Sequence, residues 1–211
     1  MGKAELARMF AEAAKRIRER HAFLSELDSV AGDGDHGTTM LRVAEKMESG
    51  LDTDTRQSLS ALLKRVGWDV LEVDGGASSA ILGTFFRGMA DIDAGDEIDC
   101  NGLAAIFEAG LIAVSKQTKA APGDKTMMDA LVPAVNAIRA AAASGETIGE
   151  ALEHAAIAAR SGAESTKSLI AKHGRAKFVG AKTLGYPDAG AFSIAILFEG
   201  FSAGMASVSG M

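Results

Sequence analysis

Apolar residues recur at intervals of three or four along almost the whole chain, and this spacing constrains the fold more than any other feature. It predicts eight amphipathic helices, because residues three and four apart share one face of a helix. Only 195–198 has a strand-like run, and it is too short to distinguish from buried helix. The predicted helices are a first over roughly 3–22 and seven more marked by Met40–Met47, Leu59–Val73, Leu82–Met89, Leu103–Val114, Met128–Ile138, Ile148–Ala163 and Ala191–Ser207.

Within this scheme a few positions are less regular. The second helix is expected to begin near Thr38 and the fourth near Ser78. Pro133 should either kink the sixth helix or mark its first turn. Trp68 is expected in the core. The predicted fold class is all-α, an antiparallel up-and-down bundle formed by a single domain, residues 1–211.

Composition and charge narrow the class of protein. The 211 residues are 47% hydrophobic, and the net charge is −6 without a basic run, which argues against a nucleic-acid partner. The single cysteine, Cys100, fits a reducing compartment. The charged N-terminus does not resemble a signal peptide. The most apolar tract, Ala189–Val208, is interrupted by Glu199 and glycines, so we expect a cytoplasmic protein without a membrane span.

The connections between the predicted helices fall into two groups. Those after helices 2, 4 and 6 are ordinary polar turns. Those after helices 1, 3, 5 and 7 are rich in glycine and charge, and consecutive helices alternate in direction, so these four connections should meet at one end of the bundle. They read DSVAGDGDHG (28–37), DGGASS (74–79), TKAAPGDKTM (118–127) and HGRAKFVGAKTLGYPDAGA (173–191).

The first of these connections carries the most specific chemistry. Asp28, Asp33 and Asp35 are hard oxygen ligands suited to Mg²⁺ or Ca²⁺, and the glycines between them allow close approach of the backbone. An EF-hand starting at Asp33 is excluded, because it would need Gly at the position of Thr38 and Glu at that of Ala44. The other interpretation of such a stretch is a polar turn with a helix cap.

The other three connections have weaker signals. Gly76, Ala77 and Ser78 would suit a phosphate at a helix N-terminus, but such residues are also common in simple turns. Asp124 or Thr126 can instead cap the sixth helix, and Lys125 can be a solvated surface charge. Arg175 can hold a phosphate or form a surface ion pair. Together, these residues suggest a metal–phosphate site at one end of a helical bundle.

Five segments resemble the nucleotide-binding L subunit (DhaL family) of dihydroxyacetone kinase and the equivalent C-terminal domain of single-chain dihydroxyacetone kinases. They occur in family order and extend over most of the chain: LDSVAGDGDHG, GGASSAILGTFF, PGDKTMMDALVP, GRAKFVG and PDAGA. The resemblance implies a barrel of eight antiparallel helices with the nucleotide bound at one end.

The resemblance also assigns roles to residues. It implies that Asp28, Asp33 and Asp35 bind two Mg²⁺ ions bridging the phosphates of ADP or ATP. The residues it implies around the nucleotide are His36, Gly37, Thr38, Thr39, Gly76, Ala77, Ser78, Thr118, Met127, Arg175, Asp188, Ala189 and Gly190. The chain departs from close relatives at Thr118, Ala189 and Asp74, which leaves the first two contacts and the effect of Asp74 open.

The resemblance further implies a partner. In this family a separate K-type subunit or domain holds the ketose, so the chain should act as the nucleotide-binding part of a kinase. Two mechanisms stay open: bound ADP rephosphorylated by a phosphohistidine carrier (M-type) of a phosphotransferase system, which we favour, or exchangeable ATP. A nucleotide-sensing protein that binds a transcription regulator, or a metal-dependent phosphohydrolase, are further alternatives.

Overall fold

The computed structural model describes residues 1–51, 58–92, 95 and 97–206. Over these residues it contains eight long α-helices, as the apolar spacing predicts, with one short α-helix, two 3₁₀ helices (Thr166–Ser168 and Gly180–Thr183) and no strand longer than an isolated bridge. The helices are α1 (Lys3–Ser29), α2 (His36–Gly50), α3 (Leu59–Leu71), α4 (Gly76–Met89), α5 (Cys100–Gln117), α6 (Met128–Ala143), α7 (Ile148–Ser165), α8 (Ala176–Val179) and α9 (Ala189–Ala206).

The long helices form a closed ring. Each packs against the next in the sequence, and α9 packs against both α7 and α1. Each helix therefore buries its apolar face against two neighbours. A cluster of phenylalanines from α1, α4, α5 and α9 fills part of the interior, with neighbouring ring centroids 5.0–5.9 Å apart: Phe10, Phe85, Phe86, Phe107, Phe198 and Phe201.

Close packing at two helix pairs depends on glycine. A β-carbon on Gly200 of α9 would lie 2.3 Å from the Cα of Ala13 in α1. A β-carbon on Gly162 of α7 would lie 2.0 Å from the carbonyl oxygen of Asp129 in α6. This carbonyl is four residues before Pro133, which has no N–H to bond it. Any larger residue at either glycine would force the helices apart.

The ends of several helices differ from the expected ones. Helix α1 continues to Ser29 because its buried face includes Leu24, so Asp28 lies in the last helical turn. Helix α2 begins at His36 and α4 at Gly76, each two residues earlier than predicted. Helix α6 runs through Pro133 at its sixth position, so the first-turn interpretation is wrong.

The apolar side chain of Trp68 and the apolar helix α9 differ in burial. Trp68 is not in the core: it is 49% exposed and stacks under the guanidinium of Arg87, 5.2 Å from the ring centroid. Among the described residues, one helix, Ala189–Ala206, is long and apolar enough to cross a membrane. Since 67% of it is buried against its neighbours, this length and composition also fit the core helix that it forms here.

Candidate metal and anion site

The four glycine-rich connections lie together at one end of the ring, as the helix order predicts. The first and second meet where the Nδ1 atom of His36 lies 3.2 Å from the Oγ of Ser78. The first and fourth meet through an ion pair between Asp33 and Arg175. The third and fourth meet at Asp124, whose carboxylate lies 3.2 Å from Nε2 of His173.

The three predicted metal ligands form a compact cluster. Asp28, Asp33 and Asp35 each offer a carboxylate oxygen within 4.8 Å of the other two. The amide of Gly34, in the left-handed region with φ 75°, donates to Oδ2 of Asp28 at 2.9 Å. A β-carbon on Gly32 would lie 2.2 Å from Oδ1 of the same carboxylate. The glycines thus let the loop wrap around Asp28, and the set of hard oxygen donors fits Mg²⁺.

The pKa values of Asp33 and Asp35 are shifted in opposite directions. Desolvation raises the pKa of Asp35, and the hydrogen bond and charge of Asp33 raise it further. Desolvation opposes ionisation of Asp33 as well, but hydrogen bonds from its own backbone and from Asp35, and the adjacent charge of Arg175, lower its pKa overall. A proton is therefore held more readily by Asp35, and a divalent cation would compete with that proton for the cluster.

Two helices begin beside the cluster without a side-chain cap. The N-cap residue of α2 is Asp35, whose side chain accepts no hydrogen bond from the following turn, and that of α4 is Gly75, which has no side chain to accept one. Uncapped amides at the positive end of a helix dipole attract anions. A cation at the aspartates and phosphates at these two helix ends would satisfy both groups.

His36 joins three elements and is mostly inaccessible. Its side chain is buried, with Nε2 2.6 Å from the Oγ of Ser193 in α9 and Nδ1 beside Ser78 in α4. Burial lowers the pKa of His36, outweighing the charge of Asp28. The neutral ring therefore fixes α2 relative to α4 and α9, while the backbone amide of His36 donates to Oδ2 of Asp28 at 3.4 Å.

The remaining predicted residues of the first two connections differ in accessibility. Gly37 and Thr39 are buried: a β-carbon on Gly37 would lie 1.8 Å from the carbonyl oxygen of His21, and one on Gly75 2.2 Å from Cγ2 of Thr39. These residues hold the connections against α1 and each other. The members exposed to an incoming ligand are Thr38, Gly76 and Ala77, with Ser78 partly exposed. Asp74 is exposed and its carbonyl accepts from Arg42.

The third and fourth connections contribute residues that the structure places differently. Met127 is buried and lies against Gly190, where a β-carbon would be 2.6 Å from its Cγ atom. Ala189 begins α9 and is buried. Thr118 is the C-cap residue of α5, and its hydroxyl accepts a hydrogen bond from the amide of Ala120 at 3.1 Å.

Asp188, the last residue before α9, has a strongly raised pKa. Its Oδ2 accepts from the amide of Ala191 at 2.8 Å, which caps α9. Desolvation, with the charges of Asp129 and Asp28, raises the pKa of Asp188 to about 6, although Ala191 and Lys125 oppose this. Asp188 thus caps a helix while carrying a destabilised charge.

Sequence reasoning missed three residues here. Lys125 is not a solvated charge: it is 4% exposed and donates to the backbone carbonyls of Thr166 and Tyr186. Asp129 is buried and accepts from the amides of Gly123 and Thr126 at 2.6 and 2.7 Å. Ser193 supports His36. The most apolar helix contains two serines, Ser193 and Ser202, so its sequence does not single out Ser193, and nothing in the sequence marks Lys125 as buried.

Comparison with known proteins agrees with this geometry. The DAK2 domain family matches residues 30–203. The PEP-dependent dihydroxyacetone kinase 1, ADP-binding subunit DhaL, of Listeria innocua is 34% identical over 185 residues, 88% of each chain. The corresponding ADP-binding subunit of Escherichia coli is 35% identical over 178 residues, 84% of this chain and 85% of that one.

A solved structure is also similar. The dihydroxyacetone kinase of C. freundii in complex with AMP-PNP and Mg²⁺ superposes with a TM-score of 0.72 at 26% identity, covering 95% of this chain. This chain spans only 34% of that protein. From the extent of the family match and the identity to full-length subunits, the chain belongs to the DAK2 domain family, in the group of dihydroxyacetone kinase ADP-binding subunits.

Proposed function

We propose that this chain, as one nucleotide-binding domain over residues 1–211, is the ADP-binding subunit of a multi-subunit kinase acting on dihydroxyacetone or a related ketose. The observation that carries the proposal is the aspartate cluster between the uncapped starts of α2 and α4. The names of the relatives from Listeria innocua and Escherichia coli support it, because both are ADP-binding subunits of similar length.

In this proposal Asp28, Asp33 and Asp35 hold Mg²⁺, with two ions expected from the resemblance. The metal supplies charge neutralisation for the nucleotide phosphates and for the transferred phosphoryl group. The hydrogen bond from Gly34 orients Asp28 before any ligand arrives. A pre-oriented carboxylate lowers the cost of assembling the site.

The protein's own groups then position the nucleotide. The amides of Gly37 and Thr38, and of Ala77 and Ser78, bind phosphate oxygens at the two helix ends. Met127 and Thr118 are proposed to lie beside the base or ribose of the nucleotide. Arg175 and residues 188–190 are proposed to close the site. The exposed Arg175 is paired with Asp33 and can exchange this partner for a phosphate.

A K-type subunit completes the proposed enzyme. It would dock over the end of the ring that carries the four connections and bring the substrate hydroxyl in line with the terminal phosphate. The C. freundii kinase, about three times as long as the matched region, supports a need for further protein. A cytoplasmic location belongs to the same proposal.

For the phosphoryl donor we favour a phosphotransferase system, in which ADP stays bound and a phosphohistidine carrier (M-type) subunit rephosphorylates it. The names of both relatives, PEP-dependent kinases, support this version. The alternative is a two-part kinase with exchangeable ATP. A nucleotide-sensing protein that binds a transcription regulator would not need all three aspartates, and a phosphohydrolase would not need a partner.

The test is calorimetric titration of nucleotide-stripped protein with ADP and with ATP, each with and without Mg²⁺. Tight, Mg²⁺-dependent ADP binding with slow release supports the bound-cofactor version. Weak, exchangeable binding that favours ATP supports the two-part kinase. Absence of binding to either nucleotide, in protein with native helix content, would overturn the proposal. Steady hydrolysis of ATP without any partner would favour the phosphohydrolase.

A further inference from the structure

The ammonium group of Lys125 lies inside a cage of backbone carbonyls. Its Nζ atom is 2.7 Å from the carbonyl oxygen of Thr166, 3.2 Å from that of Leu169, 3.0 Å from that of Thr183 and 2.6 Å from that of Tyr186. An ammonium has three hydrogens, so four acceptors cannot each receive one of their own. A ring of carbonyl oxygens around one positive charge is instead the arrangement by which proteins coordinate monovalent cations such as K⁺.

The backbone at Lys125 does not account for the choice of residue. Its φ of 60° lies in the left-handed region, which favours glycine. The group is also 4% exposed, and burial lowers the pKa of Lys125 while the charges of Asp188 and Asp129 raise it. A lysine is thus held here against both backbone strain and desolvation, so its side chain must serve the cage.

The cage closes around the stretch that carries Arg175. Thr166 and Leu169 precede this arginine and Thr183 and Tyr186 follow it. The ammonium therefore gathers both ends of the segment at one point, which leaves Arg175 at the tip of the loop between them.

Asp124, the residue before Lys125, also holds this segment. The carboxylate of Asp124 accepts from the Nζ of Lys172 at 2.7 Å and lies 3.2 Å from Nε2 of His173. The carbonyl of Asp124 accepts from the amide of Lys172 at 3.1 Å. Asp124 and Lys125, adjacent in the third connection, therefore hold the segment 166–186 on both sides of Arg175.

We propose that Lys125 is a positioning residue whose ammonium acts as a built-in monovalent cation, folding residues 166–186 so that Arg175 lies beside Asp33. It touches neither the aspartates nor the proposed phosphate positions. The ordering of the segment is independent of the nucleotide, whereas its effect on nucleotide affinity rests on the function proposed above.

The variant Lys125→Gly tests the cage directly. Glycine accepts the positive φ, so the substitution removes the ammonium without straining the backbone. We expect amide hydrogen exchange across residues 169–187 to become about tenfold faster or more in tetramethylammonium chloride, because the carbonyls lose their shared cation. NH₄⁺ or K⁺ at the same ionic strength should restore slow exchange, and the unchanged protein should respond to neither.

Lys172→Ala is the matched control. Lys172 lies in the same cluster but its side chain is 63% exposed and binds one carboxylate. An exposed ion pair of this kind contributes little, and the amide of Lys172 keeps its bond to the carbonyl of Asp124, so we expect little change in exchange and no dependence on the cation. If Lys125→Gly does not fold by circular dichroism, Lys125→Asn serves the same test, since asparagine also tolerates the left-handed region.

Nucleotide affinity then tests the positioning role. If the ordered segment is populated about one tenth of the time in Lys125→Gly, the dissociation constant for MgADP rises about tenfold. Arg175→Ala should weaken binding in the unchanged protein and much less in the Lys125→Gly background, because Lys125 acts through Arg175.

The outcomes separate the two claims. Failure of the unchanged protein to bind MgADP would count against the proposed function alone, since hydrogen exchange still reports on the cage. Exchange as slow in the variant as in the unchanged protein would overturn the cage, and so would fast exchange that no small cation reverses. Unaltered MgADP affinity despite a loosened segment would overturn the positioning role.

Discussion

Three helices at one end of the ring have side-chain caps that two helices at the other end lack. At the end away from the aspartates, α3, α5 and α7 start with Ser58, Asp99 and Thr147, and each of these side chains accepts an amide hydrogen bond from the first turn. At the aspartate end Asp188 caps α9, but Asp35 at the start of α2 accepts no such bond and Gly75 at the start of α4 has no side chain to do so. The starts of α2 and α4 are therefore left without a side-chain cap.

The end with capped helices is also tied by the N-terminus. The terminal amine of Met1 donates to the carbonyl of Ile98 at 2.6 Å, and Gly2 forms an antiparallel bridge with Glu97. The aspartate end instead has three neighbouring carboxylates, and its Lys125 lies in the left-handed backbone region. The comparison places the ligand chemistry at one end of the ring. Changes at the capped end should therefore affect folding and leave nucleotide binding unchanged.

The largest expected effect is that of Asp33→Ala on nucleotide binding. Removing one of three carboxylates should weaken Mg²⁺-dependent ADP binding by about 100-fold or more, because the ion loses a charged ligand. Helix content by circular dichroism should stay unchanged, since Asp33 is exposed and lies in a connection. Calorimetric titration measures the affinity, and an unaltered dissociation constant would refute the metal assignment.

A second expectation concerns Asp188 and pH. Its pKa is raised from 3.8 to about 6, so the folded protein binds this proton more tightly than the unfolded chain does. The stability from this group is fully present below about pH 4 and is lost as the pH rises to about 6. At pH 7 the ionised group costs about 2 kcal/mol, allowing for screening at a partly exposed site.

Asp188→Asn separates this charge from the helix cap, because the amide oxygen can still accept from Ala191. In metal-free protein the variant should match the unchanged protein near pH 4 and exceed its unfolding free energy by about 2 kcal/mol at pH 7. Urea unfolding at several pH values measures this. Equal pH profiles for the two proteins would show that Asp188 does not carry the predicted cost.

A smaller effect is expected at the opposite end from Thr147→Ala. This change removes the capping box of α7, in which Thr147 and Glu150 bond each other's backbone amides. The loss of such a cap costs about 1 kcal/mol of unfolding free energy. MgADP affinity should be unchanged. A Thr147→Ala protein that folds normally but binds nucleotide poorly would break the proposed division between the two ends.

Much of this architecture is predictable from local sequence. The eight long helices follow from apolar spacing, and Asp28, Asp33 and Asp35 stand out because all three fall within eight residues. Their grouping with the other connections follows from helix order alone. These features share a cause, since each is determined by residues that are near one another in the chain.

The features that sequence did not predict have different causes. The cage around Lys125 is built from backbone carbonyls, which every residue has, so no pattern of side chains in the sequence predicts it. Trp68 was expected in the core because of its size, yet cation–π contact with Arg87 and partial exposure suit it at the surface. Asp129 is buried because its carboxylate serves amides of its own connection, which only the folded turn reveals.

The most direct test of the account is hydrogen exchange of the stripped protein with and without MgADP. Slower exchange is predicted at the starts of α2 and α4, over residues 36–39 and 76–79, and across the 166–190 segment, with no change at the starts of α3, α5 and α7. Protection concentrated at those capped helix starts, or spread evenly over the ring, would contradict the assignment of binding to the aspartate end.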